Sequence, residues 1–332
     1  MEHPIPTPYE YSYRWTWGIA AISVGLLSWV FWRAGLAEVW RSLRSADFGL
    51  IAVVIPVILA GLAFKAIRWR VLLLPLGTPS IAVSFSSMML GYLGNNLLPM
   101  RAGEALRAYA LGQQTSISKS AVLATIVVER VVDGVLMILV LSLLFLFFPV
   151  PNWLRLTSFG AGLMIAGVTV GLIIARKTPQ RAVKMFRAIL DRMPAPWRQK
   201  GISLLENFLM GLSSFRSSTD ALFFLLLTLT VWSAEVFWFW LALHAFGVSL
   251  PVLAATLLVA AGAVSTMIPA SPGYVGTYEF VLVNVLTVMG VLVGPATACA
   301  LGIHGLAWLT VNVVGAVCTL TFGLTLKPTY SI

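Results

Sequence analysis

Between positions 221 and 326 the chain carries only two acidic or basic side chains besides His244 and His304, and these are Glu235 and Glu279. A stretch so long and so poor in charge does not make the surface of a soluble domain, where roughly 25% of residues are charged. It suits the interior of a bilayer, where each helical crossing takes about 20 mainly apolar residues. The whole 332-residue chain follows this plan, with 59% hydrophobic and 10% charged residues. We therefore expect an all-α, polytopic membrane protein with several crossings and no room for a sizeable soluble catalytic domain.

Lys and Arg number 22 against 12 Asp and Glu, a formal net charge of +10. The basic residues sit between apolar runs and form no nucleic-acid module, so membrane orientation and anionic head groups account for them and no nucleic-acid partner is expected. Cys299 and Cys318 lie inside the last apolar stretch and read as packing residues. The first thirteen residues carry Glu2, Glu10, Pro4, Pro6 and Pro8 and no small-residue cleavage pattern follows, so the first apolar run is expected to be a retained helix.

Taken in order, residues 15–32 form a first span with Trp15, Trp17, Trp29 and Trp32 at its ends. Residues 33–47 are amphipathic and suit a helix lying in the interface. The second span, 48–74, is uncharged as far as Phe64 and then carries Lys65, Arg68 and Arg70, the last two read as snorkelling from a helix end. Residues 81–98 are apolar but rich in Ser, Gly and Asn; the chain breaks at 99–103 and continues as a more polar helix to about 118. Spans at 119–148 and 153–175 follow. Residues 176–220 are the one long polar stretch, strongly basic, and the positive-inside rule makes it cytoplasmic. Further spans are expected at 222–246 and 297–324, with a broken pair, 251–268 and 274–289, between them.

Sliding the chain along itself so that Lys65 falls on Glu235 also places Gly77 on Gly247, Pro99 on Pro269 and Gly103 on Gly273. The expected organisation is an N-terminal membrane repeat, 1–175, with a re-entrant hairpin at about 81–118; a basic segment, 176–220; and a C-terminal repeat, 221–332, with a hairpin at about 251–289. Re-entrant backbone is tolerated at membrane depth only where protein buries it or where it lines a wet cavity. With the N-terminus inside, the second hairpin enters from the opposite face, which gives the inverted-topology repeat that many transporters use to build a site. Pro99, Gly103, Pro269, Pro272 and Gly273 are the expected turn positions.

Lys65, Arg101, Glu104, Arg107, Glu129, Arg130, Asp133, Glu235 and Glu279 are charges at membrane depth, each costing a few kcal/mol in lipid unless paired or hydrated. Asn95 and Asn96, at the first break, join them as candidate binding residues. The plainer reading is a set of buried ion pairs that fix helix packing, Lys65 with Glu235 among them. The functional reading is a polar cleft in which Arg101, Arg107 and Arg130 present planar donor forks to a phosphate while the acids hold them. Backbone N–H groups at the helix starts after Pro99 and Pro269 would add donors. His244 and His304 read as packing or hydrogen-bonding residues, and Trp232, Trp238 and Trp240 as lipid-facing anchors.

The ordered motifs Asn96-Leu-Leu-Pro-Met-Arg-Ala-Gly-Glu-Ala-Leu-Arg107, Glu129-Arg130-Val-Val-Asp133 and Pro269-Ala-Ser-Pro-Gly-Tyr-Val-Gly-Thr-Tyr-Glu279 resemble the membrane-domain family of lysylphosphatidylglycerol synthase, also called flippase-like. The likeness runs from about position 15 to 326. It implies a lipid-translocating domain with re-entrant helices from two pseudosymmetric halves, and it carries Arg101, Glu104, Arg107, Glu129, Arg130, Asp133 and Glu279 over as site positions. The full synthases add a soluble aminoacyl-transferase domain that these residues lack, so lysyl transfer is not expected of them. The resemblance implies a membrane lipid as partner: an anionic phospholipid, an isoprenoid or hopanoid lipid, or a lipid-linked glycan.

The expected function is a lipid transporter, or flippase, in a bacterial or archaeal cell (inner) membrane, with no cofactor and no metal. Two other classes stand beside it: a non-transporting membrane partner of a lipid or glycan synthase, and an intramembrane lipid-modifying enzyme. Against the enzyme, the chain shows no metal-ligand cluster, no Ser or Cys nucleophile with a placed His and no nucleotide motif.

Overall fold

The computed structural model describes residues 8–98, 101–191, 194–212, 215, 217–266 and 271–321. Pro99 and Pro269, two of the expected turn positions, lie outside them. The described residues form α-helices and short connections with no strand. In order these are α1 (Pro8–Ala34), α2 (Leu36–Arg44), α3 (Phe48–Leu73), α4 (Ile81–Leu97), α5 (Ala102–Gln114), α6 (Lys119–Leu144), α7 (Asn152–Lys177), α8 (Pro179–Leu190), α9 (Ala195–Gly211), α10 (Ser218–Ala245), α11 (Val252–Ser265), α12 (Thr277–Val288) and α13 (Val293–Thr321). α3, α7, α10 and α13 are long and apolar enough to cross a membrane, and the bent pair of α1 and α2 makes a fifth candidate. The chain is thus an all-α polytopic membrane protein.

The helix starts are written in the sequence. Asp47, Ser80, Ser118 and Ser217 each place a side-chain oxygen on a backbone N–H of the first turn of α3, α4, α6 and α10, which satisfies a donor that the helix itself cannot. Gly35, at φ 72°, lets the chain turn by 82° between α1 and α2. α2 then runs across the start of α13, with Glu38 against Gly294.

The order long, short, short, long occurs twice, as α3 to α6 (26, 17, 13 and 26 residues) and as α10 to α13 (28, 14, 12 and 29 residues). Contacts between the two units are exchanged: α4 packs on α13, and α11 on α6. α3 and α10 pack against each other and run antiparallel. The Asp47 N–H at the start of α3 donates to the Ala245 carbonyl at the end of α10, 2.7 Å away. Near the other end the Arg68 guanidinium sits over the Phe224 ring at 5.6 Å. The short helical pairs that follow therefore leave opposite ends of the α3/α10 pair.

Each short pair folds back on itself. α4 and α5 are about 26 and 20 Å long at 1.5 Å per residue, less than the roughly 30 Å of a hydrocarbon core. They close tightly because glycine faces glycine: a Cβ on Gly94 would come within 2.8 Å of Gly103 Cα, and one on Gly91 within 2.7 Å of Arg107 Cβ. In the second pair Tyr278 of α12 lies on Gly262 of α11. The tips meet. The Arg101 side chain, whose backbone is left-handed at φ 56°, donates to the Thr266 carbonyl and lies 5.8 Å from the centre of the Tyr274 ring.

Trp69, Leu72, Met88, Met89, Leu111, Ile126, Leu258 and Leu282 are buried in the core where the two units join. α7 lies outside it, largely exposed along its length, as a helix facing lipid should be. Both cysteines are buried and free. The basic stretch 176–220 contains two helices: α8 folds onto α9, and α9 packs on the start of α6, where Gly211 meets Ala121.

Candidate functional site

Glu129 and Asp133 are four apart on α6 and so face the same way. The side chain between them is Arg68 of α3. Its Nη2 lies 3.0 Å from Glu129 Oε1 and 2.9 Å from Asp133 Oδ2, and its Nη1 lies 2.5 Å from Asp133 Oδ1. Arg68 is buried at 1% exposure, so it does not snorkel to a surface as its place near the end of α3 suggested. One planar fork reaches both acids, which a lysine could not do. The second oxygen of Glu129 accepts from Arg107 Nη2 of α5 at 2.8 Å. Arg107 is equally buried, and its guanidinium is stacked 3.7 Å from the centre of the Trp69 ring. Trp69 in turn donates to Thr125 at 3.0 Å. Two arginines and two carboxylates thus form a neutral buried cluster joining α3, α5 and α6.

Two further pairs border it. Arg130 Nε lies 3.2 Å from Glu104 Oε1, at an angle that makes no hydrogen bond, and 37% of the Arg130 side chain is exposed. Lys65, one turn before Arg68, pairs with Glu235 of α10. α10 contributes two tryptophans as well: Trp232 donates to Asp133 Oδ1 at 3.0 Å and Trp238 to Glu235 Oε2 at 2.7 Å. Trp238 is buried, and Trp240 donates to the Leu250 carbonyl at 3.2 Å. These three are therefore not simply lipid-facing anchors: their indole N–H groups hold polar partners inside the protein.

The cluster is not saturated. Arg68 Nε, Arg107 Nε and Arg107 Nη1 are buried without a hydrogen-bond partner. Leaving such donors unmade costs free energy, more for a charged group than a neutral one, and native proteins leave few of them.

The remaining candidates lie elsewhere. Asn96 donates to Asn312 of α13 at 3.1 Å, and Asn95 Oδ1 is buried without a partner where Gly103 passes close by. With Arg101 they belong to the meeting of the tips. In the second break, Pro272 begins a one-turn 3-10 helix, Pro272–Tyr274, and Gly273 has φ 67°. Glu279 is separate again. Its Oε2 accepts from the Gly276 N–H at 2.7 Å, so the third residue of α12 reaches back to the backbone donor that precedes the helix. Its Oε1 lies 2.6 Å from His304 Nδ1. The Gly276 N–H is thus already occupied by the chain's own carboxylate. His244 Nδ1 faces the Trp240 carbonyl one turn back at 2.8 Å.

The nine charges thus fall into three places: a main cluster of Lys65, Glu104, Arg107, Glu129, Arg130, Asp133 and Glu235 built around Arg68; Arg101 at the tips; and Glu279 with His304. Arg68 is the residue that sequence reasoning passed over. The signal lay in the i, i+4 acids of α6, which need a shared fork donor from another helix.

These observations define a polytopic α-helical membrane protein with a buried, charge-balanced cluster between its helices. The chain belongs to the family described as lysylphosphatidylglycerol synthase TM region, whose sequence model matches residues 15–315. It is similar to a UPF0104 membrane protein of Methanothermobacter thermautotrophicus, 25% identical over 308 residues that cover 88% of this chain and 89% of that protein. A UPF0104 membrane protein of Methanocaldococcus jannaschii is 26% identical over 227 residues, covering 67% of this chain and 91% of that one. No solved structure matches the chain.

Proposed function

We propose that the chain moves a phosphate-bearing or other amphiphilic lipid between the leaflets of the cell (inner) membrane. The head group passes the charged cluster while the hydrocarbon stays on the lipid side. The observation that carries this reading is the set of unpartnered arginine donors, Arg68 Nε with Arg107 Nε and Nη1, held beside carboxylates that cancel their charge. A phosphate or similar oxygen-rich group supplies the acceptors they lack. The neighbouring carboxylates keep a captured anion from being held permanently. Arg130, more exposed than Arg107, receives the head group first.

An apolar crevice of about 470 Å³ between α6, α10 and α11 supports a place for the hydrocarbon. Leu136, Val140, Val236 and Val259 line it, and so does Trp232, which donates to Asp133 and so joins the crevice to the cluster. We read the two four-helix units as inverted-topology repeats whose hairpins part at their tips to alternate access. With the basic stretch 176–220 facing the cytoplasm, the two hairpins enter from opposite sides. Translocation breaks no covalent bond, so the reading assigns the chain no enzymatic chemistry.

The test is exchange of head-group-labelled lipids in liposomes containing the purified protein, read with an impermeant quencher. Anionic, zwitterionic and polyprenyl phosphate lipids are compared, beside an Arg130→Ala control. Faster exchange of one class, lost in the control, supports the reading. Absence of exchange for every lipid, from folded protein, rejects it and favours a packing role for the cluster in a protein that assists a lipid or glycan synthase.

A further inference from the structure

α7 crosses with little of its surface buried and ends in Arg176 and Lys177, as a helix does where it meets the interface. The chain then folds back through α8 and α9. Between these helices and the end of α7 lies a groove of about 680 Å³. Its cationic lining is Arg176, Lys184 and Arg187, all exposed, and its apolar lining includes Val183, Leu209 and Met210. The cations come from two helices and converge because Lys184 and Arg187 are three apart on α8, on the side that faces α7 and α9. Among the described residues none forms an ion pair with these three, including Glu206 on the same groove. The central arginines, by contrast, are held by acids.

The same two helices leave Met185, Phe186, Trp197 and Leu204 exposed. A layer with free cations and uncovered apolar side chains, attached to the end of a crossing helix, is built to lie in the head-group region. Its groove offers charge to a phosphate and an apolar wall to the chains below.

We propose that this groove is a binding site for an anionic phospholipid, separate from the central cluster, with the phosphate among Arg176, Lys184 and Arg187 and the acyl chains along Leu209, Met210 and the side of α7. The commitment to a bilayer lipid, over a soluble acidic partner, follows from the position of the groove at the end of α7 and from its apolar wall. The inference goes beyond the translocation reading and does not depend on it.

Native mass spectrometry of the full chain, titrated in detergent with phosphatidylglycerol or phosphatidylcholine, tests it. The unaltered protein should retain phosphatidylglycerol in preference to phosphatidylcholine. The double variant Lys184→Gln/Arg187→Gln should lose retention by about 30-fold, at roughly a factor of five per cation. Arg155→Gln, a cation at the opposite end of α7 and outside both the groove and the central cluster, should leave retention unchanged, and millimolar inorganic phosphate should not displace the lipid. The proposal is overturned if the double variant retains the lipid as well as the parent protein does. It is equally overturned if Arg130→Ala is the change that abolishes retention, because the lipid then sits in the central cleft, or if free phosphate competes fully, because the groove then recognises the anion alone. Liposome exchange, read on the same double variant, keeps this outcome distinct from the fate of the translocation reading.

Discussion

Lys65 and Glu235 form an ion pair although they lie 170 positions apart. They occupy corresponding places in α3 and α10, the antiparallel helices at the centre of the molecule. The pair is partly accessible, with 21% and 17% of the two side chains exposed. Its removal should therefore cost less than the roughly 3–5 kcal/mol of a fully buried pair and more than the roughly 0–1 kcal/mol of a surface pair. Lys65→Met or Glu235→Gln alone should lower stability by about 2 kcal/mol, between those limits. The exchanged double variant Lys65→Glu/Glu235→Lys should recover most of it. Thermal unfolding in detergent checks this, and a double variant worse than either single change would show that the surroundings, Trp238 first, fix the polarity of the pair.

Arg68 should be the residue least tolerant of change in the cluster. Arg68→Met leaves Glu129 with Arg107 alone and Asp133 with the Trp232 N–H alone, and a cost of about 3–5 kcal/mol is expected for an unmatched buried charge. Arg68→Lys keeps the charge but cannot span both acids, so it should restore less than half of that loss. Comparing the unfolding midpoints of the two variants tests the geometry apart from the charge. Equal midpoints for Arg68→Lys and the parent protein would mean that the fork is not needed.

Gly103→Ala should open the first hairpin. The added Cβ would overlap the Gly91 carbonyl oxygen and stand 2.5 Å from the Asn95 amide nitrogen, both backbone atoms that cannot swing aside. Overpacking of this kind costs on the order of 1–3 kcal/mol where the structure can shift, and more where it cannot. Gly160→Ala, where nothing lies within 4 Å, is the matched control and should be silent. Thermal unfolding of the two variants gives the comparison.

The long crossings were legible because hydrophobic length encodes them: the uncharged runs at 48–64 and 222–234 lie in α3 and α10. Asn95, Asn96 and Gly103, which interrupt the apolar run and were expected at the break, instead lie inside α4 and α5 on either side of it, where Gly103 is a close-packing position and not a turn. Partners across the fold were harder to read. Periodicity gives a residue's face on its own helix but not the helix it will meet, so Arg68 looked like a snorkelling terminus and Trp232 like a lipid anchor. Glu279 showed as a charge at depth, but its role as the cap of α12 depends on Gly276 at φ 89°, a backbone state that composition does not reveal. The basic stretch after 176 was legible as polar, while its fold-back, with α9 packed on α6 and α8 on α9, depends on partners that its own pattern does not name.

The joint between the hairpin tips yields the last prediction. Arg101 donates to the Thr266 carbonyl from the start of α5 and faces the Tyr274 ring. It is itself held in a left-handed backbone conformation, which non-glycine residues adopt at some cost. A hydrogen bond from a charged donor contributes about 1.5–3 kcal/mol, so Arg101→Met should raise the opening of the second tip by about tenfold or more. Amide hydrogen exchange across residues 271–276 should rise accordingly. The thermal midpoint should move by only a few degrees, because the large unfolding entropy of a 332-residue chain dilutes a loss of this size. Arg101→Lys keeps a donor and should give an intermediate exchange rate. If exchange at 271–276 is the same in all three proteins, the Arg101 contact does not hold the tips together, and their closure then rests on the Asn96–Asn312 bond and the packing of Gly273 against Trp308.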